Sequence, residues 1–236
     1  AVSYLYYADR IYQINLAIAG IAIGTIILPN LSRYVKSKDK LRLENLQNKS
    51  LELSLFLSLP ATLALLIASD EIVSALFGYG SFNEESVKNS ALALFYFSLG
   101  LPAFSMIKIF SSFIFARNDT KTPFYFSLIS VTFNVIISLS LFSKLGFIII
   151  PIATTISSWL NGLLLMIFAL NKNYFNFNNS FFKQLFKIFI VNLVCLGLFK
   201  ILISYFSNYF IFSNNYKFLA IILLVLLTFT FYILIS

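Results

Sequence analysis

Apolar residues recur along the chain in runs long enough to cross about 30 Å of hydrocarbon as helix, which takes about 20 residues. Seven such runs are predicted, near residues 3–31, 52–69, 90–115, 123–143, 146–170, 185–206 and 217–235. Helix is required because lipid offers no partner to an open backbone amide or carbonyl. Pro60, Pro102 and Pro151 fall inside or at the edge of these runs and predict kinks, since neighbouring helices can take up the freed backbone groups. The expected fold class is all-α, a polytopic transmembrane helical bundle of about seven spans.

Composition sharpens this. Of 236 residues, 59% are hydrophobic and 11% charged, against about 45–50% and about 25% in soluble chains. A soluble core of this size could not bury so much apolar surface. There is no His and one Cys, Cys195, inside an apolar run. No disulfide can form within the chain, and zinc, iron and imidazole-assisted nucleophile chemistry lose their usual ligands. The chain opens Ala-Val-Ser-Tyr, with neither Met nor a charged stretch before an apolar run. No signal peptide is expected, and the chain is expected to begin inside a longer protein.

The net charge of +8 is chiefly a topology signal. Arg33, Lys36, Lys38, Lys40, Arg42 and Lys49 share one loop. With alternating sides, Arg117, Lys121, Lys172, Lys183 and Lys187 join them, while Lys88, Lys144, Lys200 and Lys217 fall opposite. Basic residues are retained on the cytoplasmic side of short loops, so loop 33–50 and the carboxy terminus are expected to be cytoplasmic. The acidic loop around Asp70, Glu71, Glu84 and Glu85 then lies outside. The basic residues are scattered over several loops, which argues against nucleic acid as a partner. A polar–aromatic stretch divides the chain into a five-span lobe, 1–171, a cytoplasmic linker, 172–184, and an appended two-helix hairpin, 185–236.

Two cations remain inside spans, Arg10 and Lys108. Each costs about 2.5–3.5 kcal/mol at mid-bilayer on insertion scales, so each is expected to face protein, a partner or a wet cavity. Ser3, Tyr6, Arg10, Gln13, Ala17, Gly20 and Gly24 step by three or four residues and form one helical stripe, with Gly20 and Gly24 as a close-packing pair. Polar stripes recur at Ser98, Ser105, Lys108 and Ser112, at Asn134 and Ser138, and at Thr154, Ser158 and Asn161. Together they predict a bundle around a polar cavity. A blander reading stands beside it: Arg10 pairs with Asp9 or a headgroup, Lys108 snorkels, the hydroxyls and amides bind helix to helix, and Tyr4, Tyr6 and Tyr7 form an interfacial belt.

The segments Tyr6-Tyr7-Ala8-Asp9-Arg10-Ile11-Tyr12-Gln13 and Gly20-Ile21-Ala22-Ile23-Gly24-Thr25, running on to Leu28-Pro29-Asn30-Leu31-Ser32, closely resemble the signature helix of the MviN/MurJ family of bacterial lipid II flippases. Gly100-Leu101-Pro102-Ala103-Phe104 with Lys108, and Phe115-Ala116-Arg117-Asn118-Asp119-Thr120-Lys121-Thr122-Pro123, resemble the helix and short cytoplasmic loop that follow in that family. Motif order and spacing agree over residues 1 to about 170, while 171–236 agrees only in hydropathy.

The resemblance implies a member of the multidrug/oligosaccharidyl-lipid/polysaccharide exporter superfamily, matching the last seven of fourteen helices, with the amino-terminal lobe as its missing partner. It implies no enzymatic step. The implied cargo is lipid II, a polyprenyl pyrophosphate carrying a disaccharide-pentapeptide, moved from the inner to the outer leaflet of the bacterial cytoplasmic (inner) membrane by alternating access. Arg10, Asp9, Tyr6, Gln13 and Lys108 are then the substrate-binding candidates, and the last two helices a groove for the lipid tail. No cofactor is expected beyond a sodium ion, for which Asn134 and Thr154 match oxygen ligands. Ser138 departs from that pattern by standing where a carboxylate is expected. Competing readings are another polyprenyl-oligosaccharide flippase or drug exporter, a membrane glycosyltransferase using Asp70, Glu71, Glu84 or Glu85, and a structural membrane subunit.

Overall fold

The computed structural model describes residues 2–22, 26–212, 214 and 216–235, and among them the secondary structure is helical throughout. The helices are α1 (Val2–Ala22), α2 (Leu28–Ser37), α3 (Lys40–Ile67), α4 (Ser69–Phe77), α5 (Glu84–Ser98), α6 (Leu101–Phe115), α7 (Lys121–Leu145), α8 (Ile149–Asn171), α9 (Asn179–Tyr205) and α10 (Lys217–Ile235). Five stretches of the described residues are long and apolar enough to cross a membrane: Lys40–Ile67, Glu84–Phe115, Lys121–Asn171, Asn179–Tyr205 and Lys217–Ile235. The third contains two helices, α7 and α8, joined by a single 3₁₀ turn at Gly146–Ile148. The short connection makes them antiparallel neighbours. The register confirms it: Asn134 bonds to Thr154 and Ser157, and Asn161 bonds back to Ser127.

Several boundaries differ from the sequence expectation for identifiable reasons. The basic stretch 33–50 is not a loop. It is the end of α2 and the first turns of α3, broken only at Lys38 and Asp39, where Lys38 turns left-handed (φ 56°). Asp39 then caps α3 by accepting the Arg42 amide at 3.1 Å and pairing with the Arg42 guanidinium at 3.3 Å. Leu, Lys, Glu and Gln favour helix even in water, so α3 continues about 18 Å beyond the apolar run. Asp70 and Glu71, expected in a loop, open the short helix α4.

The expected kink at Pro102 is a break between α5 and α6 at Leu99–Gly100. Two backbone carbonyls beside the break find side-chain donors on α8: the Thr155 hydroxyl donates to Tyr96 at 2.6 Å and the Trp159 indole to Leu99 at 3.0 Å. Gly100 allows this close approach, since a Cβ there would stand 3.1 Å from the Thr155 hydroxyl. Pro60, by contrast, sits inside an uninterrupted α3.

The linker is shorter than expected and packed down. α9 starts at Asn179, capped by Asn178, whose side chain accepts the Phe181 amide at 2.8 Å. Phe175 is fully buried between Phe110 and Phe113, and burying such a ring is worth about 3 kcal/mol. Gln47 and Arg117 both donate to the Tyr174 carbonyl, at 2.8 and 2.7 Å, and Asn48 donates to Asn176 at 3.0 Å. α3, α6 and residues 172–178 therefore meet at one end of the bundle.

The opposite end gathers the beginning of α1, the α4–α5 connection, residues 206–212 and Lys217. Tyr4 packs on Phe147, and Tyr7 on Phe77 and Phe82. The Lys217 ammonium, with the residue 1% exposed, donates to the carbonyls of Gly78 and Phe212. α9 packs along α3, and α10 against α9 and α4. The last two helices are thus joined to the lobe at both ends. Their outer faces, like that of α7, expose large aliphatic and aromatic side chains, the surface a bilayer covers.

Candidate functional site

α1 carries the candidate residues, and its burial pattern divides it cleanly. Ala8, Ile11 and Tyr12 are buried, with the Tyr12 ring against Phe97 and Phe104. Ser3, Tyr6, Arg10, Gln13 and Ala17 are all exposed. From Ser3 to Ala17 the stripe expected from spacing is one face that no other described helix covers. Arg10 lies about 12 Å along the helix from Val2. Its guanidinium sits over the Tyr6 ring, 4.7 Å from the centroid, a stacking a delocalised cation favours. Asp9 makes no ion pair with Arg10. Its carboxylate accepts a hydrogen bond from the Gln13 amide instead. The two neighbouring charges attract each other without closing to an ion pair.

The other stripes do not converge on Arg10. Ser98 at the end of α5 and Ser112 on α6 donate to carbonyls of their own turns, at Phe95 and Lys108. Lys108 donates to the Leu16 carbonyl of α1 at 3.1 Å. On α7 and α8, Asn134 donates to Thr154 at 3.2 Å and to Ser157 at 3.1 Å. Asn161 donates to Ser127 at 3.4 Å. The expectation of four stripes around one polar chamber is corrected: among the described residues, the α7 and α8 stripes bond to one another, the third-span stripe reaches another helix through Lys108, and the Ser3–Ala17 part of the α1 stripe is left uncovered. Spacing reveals which residues share a face but not what the face meets. The packing pair expected at Gly20 and Gly24 lies outside what is described, since Gly24 is not among the described residues and only the helical backbone is described at Gly20.

Asn134 and Thr154, matched above to sodium ligands, are joined with Ser138 and Ser157 in one set of hydrogen bonds. The Thr154 and Ser157 hydroxyls already donate to the carbonyls of Ile150 and Thr154, so towards Asn134 they can only accept. The Asn134 amide nitrogen donates to both hydroxyls, and its oxygen accepts from Ser138. Every side chain in the set is neutral. Among the described residues no group of three or more His, Cys, Asp or Glu could hold a metal.

A second feature was not legible from spacing. A cavity of about 450 Å³ opens between α3, α9 and α10, lined by Leu57, Ala61, Leu65, Leu196, Phe199 and Phe229 among others. Its few polar groups include Ser58 and Asn192, each with a buried oxygen that has no hydrogen-bond partner. The lining residues lie on helices far apart in sequence, so no local pattern announced it.

An all-helical bundle with lipid-compatible outer faces and one uncovered cationic stripe defines a multi-pass membrane protein. The chain belongs to the lipid II flippase MurJ family, whose sequence model matches residues 1–228. It is 47% identical over 165 residues to a probable lipid II flippase MurJ of Rhizobium meliloti (strain 1021), covering 70% of this chain and 31% of that protein. A homologue from Rickettsia prowazekii (strain Madrid E), with the same name, is 35% identical over 212 residues, covering 89% of this chain and 41% of its own. A solved structure of lipid II flippase MurJ in an inward closed conformation superposes with a TM-score of 0.79 at 24% identity, covering all of this chain and 46% of that one. The chain thus spans between about a third and a half of the length of these relatives.

Proposed function

We propose that this chain forms the carboxy-terminal half of a transporter that moves lipid II from the inner to the outer leaflet of the bacterial cytoplasmic membrane. The name shared by its relatives supports the cargo. The observation that carries the reading is the α1 face on which Arg10, stacked on Tyr6 and not ion-paired with Asp9, is covered by no other described helix. A pyrophosphate cannot cross hydrocarbon unaided, and a guanidinium holds it with bidentate, charge-assisted hydrogen bonds. Gln13 holds the Asp9 carboxylate by a hydrogen bond beside that cation. Lys108, bonded to Leu16, reads better as the brace that positions α1 than as a direct contact.

In this proposal the exposed stripe faces the amino-terminal lobe, and rocking of the two lobes carries the headgroup across. The apolar cavity between α3, α9 and α10 takes part of the polyprenyl tail. The distribution of basic residues orients the end bearing Gln47, Arg117 and Tyr174 towards the cytoplasm. The test is complementation of a flippase-depleted cell by the full-length protein. Arg10→Ala is expected to fail at wild-type expression levels and Arg10→Lys to support slower growth. Wild-type growth of Arg10→Ala would overturn the assignment. Competition with labelled lipid II separates this reading from a drug exporter, which would ignore the polyprenyl pyrophosphate.

A further inference from the structure

At the end of the bundle away from Arg117 lies a second cavity, of about 910 Å³, between α4, α5 and the turn that follows α9. Asp70, Glu71, Glu84 and Lys88 all line it, together with Ser74. Two features distinguish it from a solvated acidic surface. First, the charges have not closed on one another. Lys88 forms no ion pair within 4 Å with any of the three carboxylates, although its charge reaches Asp70. Secondly, Ser74 is 7% exposed and its hydroxyl has no hydrogen-bond partner. An unsatisfied buried hydroxyl costs about 1–3 kcal/mol, and this one borders the cavity.

The lining fixes the chemistry of an occupant. It carries opposite charges held apart, with carboxylates in excess, and the wall continues into Leu92, Phe95 and Ile211. A metal ion is a poor match, because no three acidic groups among the described residues converge closely enough to hold one. An anion meets three carboxylates. A molecule with an ammonium, a nearby phosphate and an apolar tail matches every part. Such molecules are concentrated at this depth, where the spans end and headgroups begin.

We infer that this cavity binds the headgroup of a zwitterionic aminophospholipid, its ammonium among Asp70, Glu71 and Glu84, its phosphate at Lys88, and the Ser74 hydroxyl completing the hydrogen bonds. Burial raises Glu71 above the ordinary carboxylate range, and the charge of Asp70 adds to this. Burial raises Asp70 as well, against the pull of Lys88. A bound ammonium relieves both. The lipid joins α4 and α5 to the α9–α10 turn, a role separate from that of Arg10.

The test titrates the full-length protein in detergent with short-chain phosphatidylethanolamine, phosphatidylcholine and phosphatidylglycerol, reading thermal stability and lipid adducts by native mass spectrometry. Phosphatidylethanolamine is expected to bind most tightly, because a trimethylated ammonium has no N–H to donate and phosphatidylglycerol has no cation. Glu71→Gln and Ser74→Ala are each expected to weaken it about tenfold, the loss of one strong hydrogen bond, and Lys88→Met to weaken it similarly. Should a variant fail to fold, the headgroup order in the wild-type protein decides. Equal or tighter binding of phosphatidylglycerol would overturn the proposal, as would the same stabilisation by magnesium alone.

Discussion

The ammonium of Lys217 donates to the carbonyl of Gly78, 139 residues earlier in the chain, at 2.6 Å. It also donates to Phe212 at 2.9 Å and sits over the rings of Tyr79 and Phe212, 4.4 and 4.5 Å from their centroids. One buried cation therefore ties the start of α10 to the connection after α4. Lys217→Met removes the donor and leaves two carbonyls facing a thioether. The expected loss is about 3 kcal/mol, read as a lower melting temperature in detergent. Gly78→Ala is expected to destabilise too, because its Cβ would lie 2.6 Å from the Ser74 carbonyl oxygen.

Arg117 fastens the linker. Its guanidinium donates to the carbonyls of Phe113 and Tyr174 and stacks on the Tyr174 ring at 4.4 Å. Arg117→Ala is expected to release residues 172–178 at a cost of about 2 kcal/mol. Faster amide exchange and new proteolytic cleavage confined to that segment are the expected readouts. Arg117→Lys should rescue only partly, since a single ammonium cannot reproduce the planar fork and the stacking.

Asp119 links the start of α7 to pH. Slight desolvation pushes its carboxyl up, but hydrogen bonds from the Thr122 amide and hydroxyl and from the Lys121 amide, with the Lys121 charge, bring it below its ordinary value. A carboxylate lowered on folding stabilises the native state fully above its unfolded pKa of about 4, and that contribution is lost as pH falls through the folded value. Thermal melts of wild type and Asp119→Asn are therefore expected to differ most at neutral pH and to converge in acid.

The α7–α8 contact at Asn134 acts as glue. Asn134→Leu and Thr154→Val are each expected to cost about 1 kcal/mol, the scale of interhelical hydrogen bonds in membranes. Replacing potassium by sodium at constant ionic strength is expected to leave the wild-type melting temperature unchanged. A sodium-specific rise that Asn134→Leu abolishes would show that these residues do hold the ion.

The Arg10 stripe was legible from the sequence because a cation in an apolar run is costly and helical periodicity alone decides which neighbours share its face. That α7 and α8 spend their polar residues on one another, and that Lys108 is spent on α1, was not legible, because a polar group has the same spacing whether it faces a ligand or the next helix. Lys217 shows the same limit: it reads as an ordinary loop lysine, yet it is buried against a carbonyl 139 residues away.

By itself the sequence determined that the chain is helical and lies in a membrane, since hydrophobic run length and the absence of open backbone partners in lipid are local properties. It also determined the family, through dense motifs on the first helix and around Arg117. Only the tertiary structure decided that the linker is pinned by Gln47, Asn48 and Arg117, that Lys217 is buried against Gly78, and that cavities open between α3, α9 and α10 and beside α4. Those features depend on contacts between residues far apart in the chain, whose energies no local pattern of hydrophobicity or charge contains.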